Sequence, residues 1–70
     1  MSEHRLGNRL KEFRALRGLT QTELALRIGV SRKTINTVEN SVFVPSTILA
    51  LGLARALETT VEELFQLLED

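Results

Sequence analysis

Thr20-Gln-Thr-Glu-Leu-Ala-Leu-Arg-Ile-Gly29-Val-Ser31-Arg-Lys-Thr-Ile-Asn-Thr-Val-Glu-Asn40 is the stretch on which the fold turns. It reads as two short helices joined by a tight glycine turn. Thr20 and Glu23 have the spacing of a capping box, in which a hydroxyl and a carboxylate satisfy each other's backbone N–H groups. Leu24, Ala25 and Ile28 then recur at helical spacing. Gly29 stands where a helix stops by adopting positive φ, which glycine does at little cost. Val30 is the apolar plug of the turn, and Ser31 is a good N-cap for the next helix. Ile35 and Val38 form that helix's inner face. The small Ala25 lets the two helices cross closely.

Arg32, Lys33, Asn36, Thr37 and Asn40 are left on the outer face. Arg matches the two acceptors of guanine, Asn the acceptor–donor edge of adenine, and Thr a thymine methyl or a phosphate. Gln21 lies in the first turn of the preceding helix, where its amide and the free N–H groups suit a phosphate oxygen. This is the pattern of a helix-turn-helix whose second helix enters the major groove of double-stranded DNA. Any surface helix turns polar residues outward, so a purely structural helical hairpin is the competing reading. The joint spacing of Ala25, Gly29, Ile35 and Val38 favours the DNA-reading unit.

Seventy residues make one domain, 1–70, with a small core. There is no cysteine, which excludes disulfides and thiolate metal sites. His4 is the single histidine and lies near a chain end, where a solvated side chain is the expectation. No signal-peptide pattern and no bilayer-length apolar run are present, so a cytoplasmic, nucleoid-associated protein with no membrane contact is expected. Net charge is zero but polarised. Residues 1–40 hold eight Lys or Arg and four acids, a balance of +4; residues 41–70 hold Arg55 and five acids, a balance of −4. The basic half contains the motif, which is the electrostatic footprint of a nucleic-acid binder.

The pattern predicts an all-α fold of five helices. The first runs from about Arg5 to Arg17, with Leu6, Leu10, Phe13 and Leu16 as its buried stripe and Gly18 as its stop. Helices two and three are those described. Ser41 to Pro45 is a loop. Ser46 or Thr47 caps the fourth helix, which ends near Leu57 or Glu58. Thr60 and Glu63 form a second capping box for the fifth, whose apolar face is Val61, Leu64, Phe65 and Leu68. No alternating β-branched run is present, so a sheet is not expected. The fourth helix is apolar nearly all the way round, which suits a central helix enclosed by the others. Leu67 and Phe43 add surplus apolar surface, which points to a homodimer. Val61, Phe65, Leu67 and Leu68 are the candidate contacts.

The chain resembles the Xre family, the helix-turn-helix proteins related to the phage lambda and Cro repressors. The resemblance rests on Arg9-Leu10-Lys11-Glu12-Phe13-Arg14 through Gly18-Leu19-Thr20-Gln21, on Val30-Ser31-Arg32-Lys33-Thr34-Ile35-Asn36, on Val38-Glu39-Asn40, and on Pro45-Ser46 and Thr60-Val61-Glu62-Glu63-Leu64-Phe65. It covers nearly the whole chain and is nearest to short members without an effector domain. It implies a compact five-helix lambda-repressor-like domain. It also implies that Arg32, Lys33, Asn36 and Thr37 approach bases. Gln21, Ser31, Thr34 and Asn40 hold phosphates by the same resemblance, and Arg14 and Glu39 form a partly buried ion pair between the first and third helices. The match breaks at Ser41 and Val42, where the family has Gly and often Lys, and at Thr59, where Gly is frequent.

The functional expectation is a sequence-specific DNA-binding transcriptional regulator, acting as a homodimer and repressing by occlusion. The alternative is a protein-interaction module, an antitoxin or adaptor, with a protein partner. No cofactor, metal or small-molecule ligand is expected. No catalytic triad, phosphate-binding glycine loop or metal spacing is present, so an enzyme is not expected. Glu62-Glu63 and Glu69-Asp70 read as helix-start and terminal charges. On this reading Gln21→Ala weakens binding to all duplexes about equally.

Overall fold

The computed structural model describes residues 4–69. Residues 1–3 and Asp70, and with them Glu3 and the outer ends of the expected domain, lie outside the described residues, as do the side chains of His4 and Glu69 and so the expected Glu69-Asp70 charges. The described chain holds five helices and two short strands: β1 His4–Asn8, α1 Leu10–Leu16, α2 Gln21–Ile28, α3 Arg32–Glu39, α4 Thr47–Ala56, α5 Val61–Leu64 and β2 Phe65–Glu69.

The core is Leu10, Leu24, Ile35, Leu53, Leu57 and Leu64, each fully buried, with Val38, Ala25, Ala54 and Phe65 beside them. Burying one such aliphatic side chain contributes about 1.5–3 kcal/mol. Ala25 is 3% exposed within the core, on α2, which packs against both α3 and α4. Val30 packs against the core from the turn.

Three helix starts are capped as their sequences indicate. Thr20 accepts from the Glu23 N–H at 3.0 Å, and the Glu23 carboxylate accepts from the Thr20 N–H at 2.9 Å, a complete box. The Thr20 backbone N–H, and then its hydroxyl, hold the Glu23 carboxyl below its usual range. Its stabilising effect is complete above the ordinary carboxylate value and is lost as pH falls through the lowered one. Ser31 and Ser46 cap α3 and α4. At α5 the box is half made: Thr60 accepts from Glu63 N–H, but the Glu63 carboxylate faces Arg9 at 3.8 Å instead.

The four longer helices stop in one way. A left-handed residue follows each, directly after α2 at Gly29 (φ 73°) and one residue further on after α1, α3 and α4, at Gly18 (φ 68°), Ser41 (59°) and Glu58 (56°). Beyond all four the next N–H reaches back to close a Schellman turn, Leu19 to Arg14, Val30 to Ala25, Val42 to Thr37 and Thr59 to Ala54. The left-handed residue near the last turn is therefore Glu58; Thr59, the expected glycine position, supplies the closing N–H.

Three expectations are corrected. First, the chain does not enter α1 at Arg5. Residues 4–8 pair antiparallel with 65–69, His4 opposite Glu69 and Asn8 opposite Phe65, so the two ends form a sheet. Gly7 is a poor helix residue, and Asn8 Oδ1 accepts from the Leu10 N–H at 3.3 Å, fixing the helix start there. Second, Leu16 is 73% exposed. Steps of three residues precess about 60° each around a helix, so Leu16 has rotated away from Leu10, while Arg14 and Arg17 have rotated toward it. Third, α4 is not enclosed. Ala50, Leu53, Ala54 and Leu57 face the core, but Ile48 is 85% exposed and Leu51 57%.

The left-handed stops predict opposite effects of two exchanges. A Cβ on Gly29 meets nothing within 4 Å, so Gly29→Ala loses only backbone conformational energy. It should destabilise by about 1 kcal/mol, whereas Glu58→Gly should stabilise by about 0.5 kcal/mol, strain relief being partly offset by the freer unfolded chain. Urea midpoints at constant m-value check both.

Candidate nucleic-acid interface

The side-chain hydrogen bonds that tie α3 to α1 and α2 centre on Glu39. Arg14 Nε donates to Glu39 Oε2 at 2.6 Å and its Nη2 to Oε1 at 3.2 Å, a two-pronged pair. The Arg14 side chain is 14% exposed and that of Glu39 4%. Arg14 Nη1 also donates to the Leu19 carbonyl at 2.8 Å, tying the α1–α2 turn to the same group. The hydrogen bond to Glu39 pushes the Arg14 pKa up, against the opposing effect of burial. Gln21 Nε2, from the first turn of α2, donates to Glu39 Oε1 at 3.0 Å and to Asn36 Oδ1 at 3.2 Å. Asn40 Nδ2 donates to the same Asn36 oxygen at 3.1 Å and to the Asn36 carbonyl at 2.9 Å. Three helices thus meet at one carboxylate, and a chain of amides runs from it to the outer face.

This network engages two of the residues expected to face DNA. Both amide protons of Gln21 are engaged inside the protein, so its side chain acts first as a brace between α2 and α3. In the first turn of α2 the Glu23 N–H is taken by the Thr20 cap, which leaves the Gln21 and Thr22 N–H groups without an intrahelical acceptor. Asn36 has its oxygen taken by two donors, and its own Nδ2 has no partner among the described residues. It therefore presents donors outward, which suit a purine N7 or a guanine O6 better than the acceptor–donor edge of adenine.

The other named residues separate by exposure. Arg32, Lys33 and Asn36 stand exposed on α3, as do Ser31 at its start and Asn40 at its end. Arg32 and Lys33 hold no ion pair or hydrogen bond among the described residues. Thr34 and Thr37 are half-buried. The Ser31 and Thr34 hydroxyls bond each other at 3.0 Å, and the Thr37 hydroxyl donates to the Thr34 carbonyl at 2.9 Å.

Two contributors are not evident from residue type. Asn8 Nδ2 reaches the Val38 carbonyl at 3.2 Å and Ser41 Oγ at 3.1 Å, clamping the end of α3 to the start of α1. An Asn two residues before a helix was the one local signal. Arg17 Nε donates to the Leu57 carbonyl at 2.9 Å, a cation on the end of α4 for which the sequence carries no signal. Arg9 pairs with Glu12 at 3.1 Å and lies over the Phe13 ring at 5.0 Å. Arg9, Arg14 and Arg17 are thus engaged by the fold, so the charge available to an anion is concentrated on fewer groups than the +4 balance implies.

A short helix held at a fixed angle, its exposed tip carrying unpaired basic and amide groups, defines a DNA-binding helix-turn-helix protein. A family model described as helix-turn-helix matches residues 10–64. The chain belongs to the Xre-like helix-turn-helix family of DNA-binding transcriptional regulators and is not an enzyme. It is 46% identical over 57 residues to an uncharacterized HTH-type transcriptional regulator of Archaeoglobus fulgidus, covering 81% of each chain. It is 48% identical over 62 residues to another from Methanothermobacter thermautotrophicus, covering 87% of this chain and 90% of that one. Among solved structures, the restriction-modification controller protein C.AhdI from Aeromonas hydrophila superposes with a TM-score of 0.74 at 36% identity, covering 79% of this chain and 83% of that one. No helix among the described residues is long and apolar enough to cross a membrane.

Removing the hub should loosen all of this. Glu39→Ala leaves the Arg14 guanidinium buried without its partner and should cost about 3 kcal/mol of stability. Replacing both partners by apolar residues should recover most of that stability but not DNA affinity, as chemical denaturation and gel retardation together would show.

Proposed function

We propose that the chain is a sequence-specific repressor that binds double-stranded DNA as a homodimer, with residues 1–70 acting as one DNA-binding domain in the cytoplasm, on the nucleoid. The observation that carries this reading is the braced α3 with Arg32, Lys33 and Asn36 free on its exposed face. Arg32 and Lys33 approach guanine-type acceptors in the major groove. Asn36 adds a donor, and the Thr37 methyl meets a thymine methyl or a sugar. The first turn of α2, Ser31, Thr34 and Asn40 lie along the phosphates and set register. Two protomers place their α3 helices in successive grooves about 34 Å apart on a partly palindromic site, and occupancy excludes polymerase.

The dimer contact is proposed on the apolar surface at the strand end of the molecule. Leu67 and Leu68 are 72% and 44% exposed, and Val44 is 71% exposed. Leu68, Phe43 and Val44 border one shallow pocket. Of the residues first named for this contact, Phe65 belongs to the core at 8% exposure and Val61 is half-buried, so Leu67 and Leu68 carry the proposal.

Selection of duplexes from a random pool tests binding, specificity and half-site spacing together. Arg32→Ala should weaken the selected site by roughly 1–3 kcal/mol and leave random DNA nearly unchanged. Equal loss on both would remove Arg32 from base reading. Gln21→Ala removes one of the two donors to the Asn36 oxygen, leaving Asn40, and should change the preferred base opposite Asn36. A uniform loss on every sequence would return Gln21 to a phosphate role. Leu67→Lys with Leu68→Lys should give a monomer by sedimentation that still binds a single half-site.

A further inference from the structure

The groove between α2 and α4 takes no part in the function proposed above. It is about 910 Å³, and its walls include Ile28, Val30, Ile48, Leu49, Gly52 and Ala56. None of these belongs to the base, phosphate or dimer sets. Two observations set it apart from ordinary surface. Ile48, on its wall, is 85% exposed. Gly52 lies in the middle of α4, where glycine is a worse helix former than alanine. A Cβ there would meet nothing within 4 Å, so nothing inside the fold requires glycine. Its missing side chain instead keeps the groove open to a body approaching from outside.

The rim indicates what that body carries. Arg27 and Arg55 border the groove, and neither makes a hydrogen bond or ion pair among the described residues. Glu58 also borders it, and Glu23 lies one turn before Arg27 with its carboxylate held by the Thr20 cap. Among the bordering side chains two cations stand against one acid, and Glu23, on whose carboxyl Arg27 also acts, offsets part of that positive charge. Arg55 is the only cation in the acidic half of the chain, and it stands here.

We infer that this groove receives an amphipathic helix of another protein, apolar on the face that enters and acidic along its flanks. Apolar anchors at helical spacing would lie over Ile28, Ile48 and Gly52, and carboxylates would meet Arg27 and Arg55. A second copy of this chain fits less well. A symmetric pairing sets Arg27 and Arg55 against their own images. A head-to-tail insertion of the acidic end does not close into a pair. Because the groove shares no residue with the DNA-facing set, the protein can hold partner and duplex together.

The test uses the isotope-labelled full chain and two capped synthetic helices of roughly four turns with one leucine stripe. One is flanked by Glu, the other by Lys. The Glu helix should produce saturable amide shifts at Ile28, Gly52 and Ala56. The Lys helix should bind about tenfold or more weakly, as expected for two partly shielded charge pairs. Arg27→Glu with Arg55→Glu should reverse the preference. Gly52→Leu should abolish binding while DNA affinity and helix content stay unchanged, and Ile48→Lys gives the same readout should Gly52→Leu not fold. Equal binding of both helices, shifts centred elsewhere, or no saturable shift would overturn the inference. So would movement of the same amides with protein concentration alone, which would assign the groove to a second copy.

Discussion

The pairing of Arg14 with Glu39 is the contact from which the geometry of the surface proposed to face DNA follows. A buried ion pair adds little net stability, because desolvation of two charges roughly offsets their attraction. Its effect is positional. The planar guanidinium fixes α1 against the last turn of α3, and Gln21 brings the start of α2 to the same carboxylate. It also settles an electrostatic conflict, since an acid on the reading helix would repel phosphate. At 4% exposure and with a guanidinium against it, Glu39 presents almost no negative charge outward.

The second constraint is how abruptly the chain turns. Helices of seven to ten residues are too short to persist alone in water, so packing must hold them, and packing needs tight corners. A left-handed residue after each of the four longer helices provides those corners. Two are glycines. Ser41 and Glu58 take the same conformation at some energetic cost. At Ser41 the cost has a local counterpart, because its hydroxyl accepts from the Asn8 amide that clamps the end of α3.

What could be read from the sequence was what depends on neighbours along the chain. The Thr20, Ser31 and Ser46 caps, the Gly18 and Gly29 stops, and the inward Ile35 and Val38 all follow from local chemistry. The terminal sheet did not, because its register joins residues as far apart as His4 and Glu69 and neither strand alternates clearly. The α4 surface was misjudged because composition counts aliphatic residues without saying which face they occupy. On α3, outward position placed Arg32, Lys33 and Asn36 on the exposed face. The hydrogen bonds that turn Gln21 into a brace and leave Asn36 a donor depend on side chains from different helices meeting. Asn8 and Arg17 act on backbone carbonyls of distant helices, for which no sequence period exists.

The antiparallel ladder has a mechanical consequence. Its outermost pair joins His4 to Glu69, so both ends of the described chain leave from the same edge. A tension applied between them would load the rungs one at a time, as in a zipper, rather than shearing them together. The ladder would therefore peel at low force while α2 and α3 kept their mutual packing, and the reading helix would be among the last parts of the molecule to feel the pull.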